Sequence, residues 1–108
     1  MTKHFLPSKN IDIDDITIVV NNNRRLSPTK TAERLLSVFT LAIGKYNSFL
    51  YVFDGKNFKP NGKAILYHEL VSHLGDLVTV YTFREVLMRI ICYLKVEKKV
   101  YNHGPDDE

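Results

Sequence analysis

Hydrophobic positions recur one helical turn apart in the stretch that begins at Ser27-Pro28, and this spacing predicts a well-marked helix. Serine is a preferred N-cap, and proline is favoured at the first helical position. The apolar positions that follow are Leu35, Leu36, Val38, Phe39, Ala42 and Ile43. Gly44 is a natural C-terminal stop, so the helix is expected to run to the residue before it.

A short run of aromatic and β-branched residues, Phe49–Phe53, is typical of a strand. Asp54-Gly55 comes directly after this run, and Lys56-Asn57-Phe58 follows. Asp-Gly in this position is a strong signal for a turn between antiparallel strands. The pattern therefore predicts a β-hairpin, which Pro60-Asn61-Gly62 ends.

The second half of the chain predicts two further helices. One begins at Lys63, ends near Leu74 and is followed by Gly75. The other begins at Thr82, because a hydroxyl followed three residues later by the carboxylate of Glu85 matches the capping box. The core-facing positions of the two helices are Ile65, Leu66, Glu69, Leu70 and Leu74, and then Phe83, Val86, Leu87, Ile90, Ile91 and Leu94. A basic segment follows and ends at Tyr101.

The segment Asn10–Val20 fits two structures. Asn10 is a good N-cap, and aspartates in the next turn suit the positive end of a helix. Ile16–Val20 is β-branched throughout, which favours a strand. A helix is preferred because no strand partner is evident nearby, and Asn21-Asn22-Asn23 is interpreted as a break.

These elements together predict a mainly α protein, a small helical bundle with one short β-hairpin. A chain of 108 residues is long enough for one domain. We divide it into an N-terminal arm with an uncertain helix (1–23), the helical bundle (24–103) and an acidic tail or linker start (104–108).

Composition is that of a globular intracellular protein. Apolar residues make up 44% of the chain, yet no apolar run approaches the roughly 20 residues that a membrane span needs. The N-terminus lacks a secretory apolar region. Cys92 is the single cysteine, and its apolar neighbours predict a buried structural thiol. We expect a cytoplasmic location and no membrane partner.

No catalytic residue and no metal site is predicted. Tyr67–His73, YHELVSH, looks like the zinc-binding H-E-x-x-H pattern, but its histidines are five residues apart instead of four. At about 100° per residue, that interval turns the two rings roughly 140° apart on a helix. The five glycines are scattered, which argues against a phosphate-binding loop.

Charge favours binding to a polyanion. Residues 24–103 carry 13 Lys/Arg and six Asp/Glu. Arg24, Arg25, Lys30 and Arg34 lie around the entry to the first well-marked helix, where phosphates bind readily. Basic and aromatic residues also alternate around the hairpin, as they do in single-strand binders, although Tyr51, Phe53 and Phe58 fit a core better than a binding surface.

The run from Thr29 to Asn102 resembles the helical domain between the primase and helicase parts of plasmid and viral primase-helicases, including the archaeal plasmid type. The stretches that carry the resemblance are Thr31–Leu36, Leu50–Phe58, Thr82–Val86 and Val96–Asn102, taken in this order and spacing.

The resemblance implies an accessory domain that binds single-stranded template DNA and nucleoside triphosphates, ATP with Mg²⁺ among them. Primer synthesis and helicase chemistry would belong to neighbouring primase and helicase domains. The four basic residues named above would then bind DNA or triphosphate phosphates. This chain has no tryptophan, so base stacking would fall to Tyr46 and Tyr101, which lie at element ends.

Two other functions stay open at this point. A winged-helix domain would place a recognition helix in duplex DNA, although the apolar character of Ile90–Leu94 argues against the last helix as that reader. A protein-interaction module of a virus or mobile element would be indifferent to nucleic acid and to salt.

Overall fold

The computed structural model describes residues 13–102, and it contains both helices and sheets. Of these described residues, 53% are in helices and 22% are in strands, and the strands form one sheet of two and one sheet of four. The prediction of a mainly α bundle with a single hairpin is therefore wrong, and the domain is a small mixed α/β structure. Its elements are α1 Ile13–Ile16, β1 Thr17–Val20, β2 Asn23–Leu26, α2 Pro28–Val38, β3 Leu41–Gly44, β4 Leu50–Phe53, β5 Phe58–Lys59, α3 Gly62–Leu74, a 3₁₀ turn Gly75–Leu77, α4 Val80–Val96 and β6 Val100–Tyr101.

The predicted first helix is shorter than its apolar pattern suggested. It begins as expected, since the Ser27 hydroxyl accepts a hydrogen bond from the Lys30 N–H at 3.2 Å. It ends at Val38, and the last apolar residues of the pattern form β3 instead. All four residues of β3 are buried, and a buried central strand has the same continuous apolar run as a helix.

The four-stranded sheet has the order β5-β4-β3-β6. The predicted hairpin is confirmed as β4 and β5, which pair antiparallel. Strand β4 also pairs antiparallel with β3. The other neighbour of β3 is β6, and these two strands are parallel. Leu41, Ile43, Leu50 and Val52 lie on one face of this sheet and belong to the hydrophobic core. Helix α3 packs on β4 and α4 on β3, while α2 packs on α4.

The two later helices are confirmed, with one corrected start. Helix α3 occupies the predicted range, and Gly75 caps its C-terminal end. Helix α4 begins at Val80, because Thr79 is its N-cap and forms a reciprocal capping box with Thr82. Thr82 is thus the third residue of the helix rather than its cap. The predicted core face is confirmed for Phe83, Val86, Leu87, Ile90 and Leu94, with Ile91 partly buried.

The β-branched run before the three asparagines is a strand, which corrects the preferred helix. Only Ile13–Ile16 is helical, and Asn10 lies outside the described residues. Strand β1 pairs antiparallel with β2 from Thr17↔Leu26 to Val20↔Asn23. Asn21 and Asn22 have φ of 51° and 66°, the left-handed values that a type I′ hairpin turn requires at both central residues. Asn21 and Asn22 therefore form the turn of a hairpin, and the proposed arm boundary after residue 23 falls within β2.

Candidate nucleic-acid interface

The second face of the four-stranded sheet carries aromatic rings. Side chains alternate between the faces of a strand, so Tyr51 and Phe53 point away from the core residues of β4. Phe58 pairs across from Phe53, and Tyr101 pairs across from Gly44, which places both rings on the same side. We call Tyr51, Phe53, Phe58 and Tyr101 the aromatic face.

The four rings form one continuous cluster across the sheet. The ring centroids are 4.5 Å apart for Tyr51 and Tyr101, 5.0 Å for Phe58 and Tyr101, and 5.1 Å for Phe53 and Phe58. Strand β3, which separates β4 from β6, has only small residues on this side, so the rings can close over it. Tyr51 is completely buried, whereas the other three rings remain partly exposed. Tyr51 is thus the floor of the cluster, and the other rings form its surface.

The turn between β3 and β4 fixes the Tyr51 ring. The side-chain amide of Asn47 donates to the Tyr51 hydroxyl at 3.0 Å, and its carbonyl oxygen accepts from the Phe49 N–H at 2.9 Å. A Cβ at Gly44 would clash with Oδ1 of Asn47 and would lie 2.8 Å from Cε1 of Tyr51, and both contacts are closer than side chains normally pack. The ring therefore needs a glycine beneath it.

Four exposed lysines lie next to the ends of the strands that carry the aromatic face. The Lys45 N–H donates to the Tyr101 carbonyl at 3.0 Å, Lys56 lies in the turn between β4 and β5, and Lys98 and Lys99 directly precede β6. Within residues 13–102, none of the four lies within ion-pair distance of a carboxylate. Their charges are therefore available to a bound anion.

The neighbouring carboxylate, Asp54, is used by its own turn. Its Oδ1 accepts hydrogen bonds from the N–H groups of Asn57 and Lys56, each at 2.8 Å, and its Oδ2 lies 4.0 Å from Lys59 Nζ. The hydrogen bonds from Asn57 and then Lys56 lower the pKa of Asp54 below its ordinary value. The carboxylate thus stays ionised and orders the turn that carries Lys56.

The structure does not bring all four predicted phosphate-binding residues to one face. Arg24 Nη1 lies 2.7 Å from Asp14 Oδ1 and 2.9 Å from Thr17 Oγ1. Arg25 follows it in β2 and therefore points to the opposite face of the hairpin. Arg24 forms an ion pair with Asp14, and this contact is not evident from the sequence because it depends on the hairpin.

Lys30 and Arg34 lie one turn apart on α2, beside a shallow depression. Arg34 Nη2 is 3.8 Å from Asp15 Oδ2, and Asp15 and Glu33 both line the depression. Two carboxylates therefore accompany two cations here, which weakens the attraction for a phosphate.

One of the two predicted stacking residues belongs to the aromatic face. Tyr101 is a member, whereas Tyr46 lies in the turn after β3, 71% exposed, with Lys45 Nζ 5.5 Å from its ring centroid. Phe53 and Phe58 are not among the predicted stacking residues, because the sequence favours a core position for both. The alternation of Leu50-Tyr51-Val52-Phe53 was the available signal, since it puts both aromatic residues on one side.

The histidines of YHELVSH point in different directions in the structure. His68 and His73 are both exposed, and His73 Nε2 lies 3.9 Å from Oε1 of the buried Glu69. Among the described residues, no group of three His, Cys, Asp or Glu side chains could hold a metal ion.

Cys92 is exposed on α4, so the prediction of a buried thiol is wrong. Its neighbours are apolar in sequence, but the helix turns them to other sides.

None of the helices in residues 13–102 combines the length and the apolar character needed to cross a membrane. Comparisons with protein-family models, with curated proteins and with solved structures find no match to this chain.

Proposed function

We propose that this domain binds single-stranded DNA, with bases stacked on the aromatic face and phosphates beside the surrounding lysines. The observation that carries the proposal is the joining of three partly exposed rings, Phe53, Phe58 and Tyr101, into one surface that unpaired lysines border. Single-strand binders combine such rings with a basic path for the backbone. Every base has a flat π-face, so this surface would accept many sequences.

The packing of the rings favours binding. Each ring is already held by a neighbouring ring at about 5 Å, so little side-chain freedom remains to be lost when a base stacks. Stacking of a base on an aromatic side chain contributes about 1–3 kcal/mol. Two such contacts together with phosphate contacts are sufficient for micromolar binding.

The biological setting proposed is DNA replication, as an accessory domain to primase and helicase domains. This setting is supported by the resemblance of Thr29–Asn102 to the domain between those parts in plasmid and viral primase-helicases. In that role, the aromatic face would hold template strand while primer synthesis takes place in the neighbouring domain.

Binding of nucleoside triphosphate stays a prediction. A triphosphate at Lys30 and Arg34 would lie beside Asp15 and Glu33, and both carboxylates would oppose it. A titration of the ¹⁵N-labelled domain with ATP and Mg²⁺ tests this directly. Shifts confined to Arg24–Arg34 would establish the nucleotide site, and unchanged spectra at millimolar ATP would dismiss it.

Fluorescence anisotropy with a labelled mixed-sequence single strand of about 12 nucleotides tests the main proposal. Phe58→Leu and Tyr101→Leu remove a ring but keep apolar bulk, and each is expected to weaken binding about tenfold, or about 1.4 kcal/mol. Tyr81→Leu is the matched control, because Tyr81 is 73% exposed on α4, away from the sheet face. Equal affinities for all four proteins would refute the assignment.

The lysines are tested through salt dependence. Lys56→Gln combined with Lys99→Gln is expected to reduce the slope of log affinity against log salt, because fewer counterions are released on binding. Lys95→Gln, an exposed lysine on α4, should leave the slope unchanged. Folding of each variant is checked by its urea midpoint.

Duplex DNA binding through the β1–β2 hairpin is the second candidate. Three residues in each strand are exposed, and Arg25 has no carboxylate within ion-pair distance among residues 13–102, so the hairpin could enter a groove. Arg25→Gln would then weaken duplex binding, while Tyr101→Leu would not. A preference for single strands together with the reverse pattern of variant effects supports the aromatic face.

A further inference from the structure

An apolar groove runs between α3 and α4, on the opposite side of the sheet from the aromatic face. Tyr67 of α3 and Val80, Phe83 and Leu87 of α4 line a cavity of about 430 Å³. Tyr67 and Phe83 meet edge to face with their centroids 5.0 Å apart, which fixes the floor of the groove.

A second cleft of about 300 Å³ extends this groove. It is lined by Phe49, Pro60 and Ile91, and it shares Leu87 and Lys63 with the first cavity. From Val80 to Ile91, α4 rises about 16 Å at 1.5 Å per residue. The combined groove is therefore long enough for about three turns of a partner helix.

Large apolar side chains at the groove are open to solvent. Val80 is 66% exposed, Phe49 49% and Tyr67 39%. Contiguous apolar surface of this kind is typical of a docking site, and an amphipathic helix in a groove buries it with anchors at every third or fourth residue.

The charges at the groove indicate the character of its partner. Lys63 and Arg84 are its charged lining residues, and no carboxylate lines either cavity. Neither cation lies within ion-pair distance of a carboxylate among residues 13–102. A partner with acidic residues beside its apolar anchors would complement both cations, whereas a basic helix would be repelled.

We propose that this groove binds an acidic amphipathic helix of a protein partner. The proposal is independent of nucleic-acid binding, because the groove and the aromatic face share no residue. The domain would thus hold a nucleic-acid strand on one side and a protein on the other.

A displayed library of helical peptides of about 14 residues, with a fixed apolar face and randomised flanking positions, supplies the probe. Selection on the whole 108-residue chain is expected to enrich Asp and Glu at the flanks. The best enriched peptide is then labelled and its affinity measured by anisotropy. Enrichment of Lys and Arg, or no enrichment at all, would overturn the proposal.

Substitutions locate the peptide on the domain. Val80→Asp is expected to weaken the selected peptide at least tenfold, because it places a charge among the apolar anchors. Met88→Asp is the matched control, since Met88 is 63% exposed on α4 but lines neither cavity. Equal effects of the two substitutions would contradict binding in the groove.

The contribution of Lys63 and Arg84 to partner selection is tested by reversing their charges. Lys63→Glu with Arg84→Glu should weaken the acidic peptide about tenfold and favour a version with Lys in place of its Asp and Glu. Arg89→Glu, at an exposed position of α4 outside the groove, should change neither affinity by more than about twofold. If the free chain is instead a dimer that Val80→Asp converts to a monomer, the groove belongs to a second copy and the proposal is wrong.

Discussion

Replacing Gly44 by alanine should destabilise the domain and disturb the aromatic face together. The new Cβ would clash with Oδ1 of Asn47 and would lie 2.8 Å from Cε1 of Tyr51, whereas ordinary contacts begin near 3.4 Å. Tyr51 cannot move aside, because it is completely buried and its hydroxyl is held by Asn47 at 3.0 Å. The Asn47 side chain must move away from the new Cβ, and either the ring or strand β3 must also shift by about half an ångström.

Two opposing effects determine how much Gly44→Ala changes the free energy of unfolding. Alanine reduces the freedom of the unfolded chain, which stabilises the protein by about 0.4–1 kcal/mol. Overpacking in a closed environment costs about 1–3 kcal/mol. Because the ring is fixed from several sides, we expect the steric effect to dominate, with a net loss of about 1–2 kcal/mol. In a domain of this size, that corresponds to a lower Tm by about 5–10 °C.

Urea unfolding followed by tyrosine fluorescence measures this loss, since the chain has no tryptophan. A double-mutant cycle with Asn47→Ala then tests the cause, because alanine removes the side-chain oxygen that the new Cβ would strike first. The two substitutions should couple by about 1 kcal/mol or more. A Gly44→Ala protein as stable as the original, or two effects that simply add, would refute the reasoning.

Three other substitutions test separate features of the fold. Thr79→Ala should lower the free energy of unfolding by about 1 kcal/mol, because α4 loses its N-cap, and thermal unfolding by circular dichroism measures this. Asn22→Val should destabilise the β1–β2 hairpin, while Asn22→Gly should be tolerated, because φ is 66° there; hydrogen exchange of β1 amides distinguishes them. The ionised Asp54 has a lowered pKa, so its stabilising contribution is present above its unfolded pKa and is lost as the pH falls through its folded pKa. The stability difference between the original protein and Asp54→Asn should therefore shrink between pH 7 and about pH 3.

Elements with strong local signals were predictable from the sequence. Ser27-Pro28 marks the start of α2, Asp54-Gly55 marks the β4–β5 turn, and Gly75 marks the end of α3. In each case, the residues that decide the structure are within a few positions of each other. Local sequence is then sufficient to predict where these elements begin or end.

Strands β1 and β3 depend on partners, and this is why they were missed. Leu41-Ala42-Ile43 continues the apolar spacing of a helix, and only pairing with β4 and β6 makes it a strand. The β-branched residues of β1 indicated a strand, but a helix was preferred because no strand partner was evident nearby, and β2 is mostly polar. A solvent-exposed hairpin has little apolar pattern to reveal it.

The candidate site has the same dependence on distant pairing. Tyr101 was singled out as an exposed ring at an element end, but its neighbours Tyr51 and Phe58 come from strands more than forty positions earlier. Arg24 was predicted to bind phosphate, and its contact with Asp14 appears only when the β1–β2 hairpin forms. Side-chain type suggested the chemistry, whereas tertiary structure decided which groups meet.

Hydrogen exchange at strand β6 should indicate whether a ligand is bound to the aromatic face. This strand has two residues and a single neighbouring strand, and the carbonyls of Lys99 and Tyr101 accept hydrogen bonds from the N–H groups of Ile43 and Lys45, each at 3.0 Å. So short an edge strand is expected to open locally at low free energy, and Tyr101 would then leave the ring cluster. A base stacked on Tyr101 would bind only the closed state and would shift this equilibrium. The Lys45 amide should therefore exchange its hydrogen more slowly as ligand is added, in proportion to the fraction of domains that are bound.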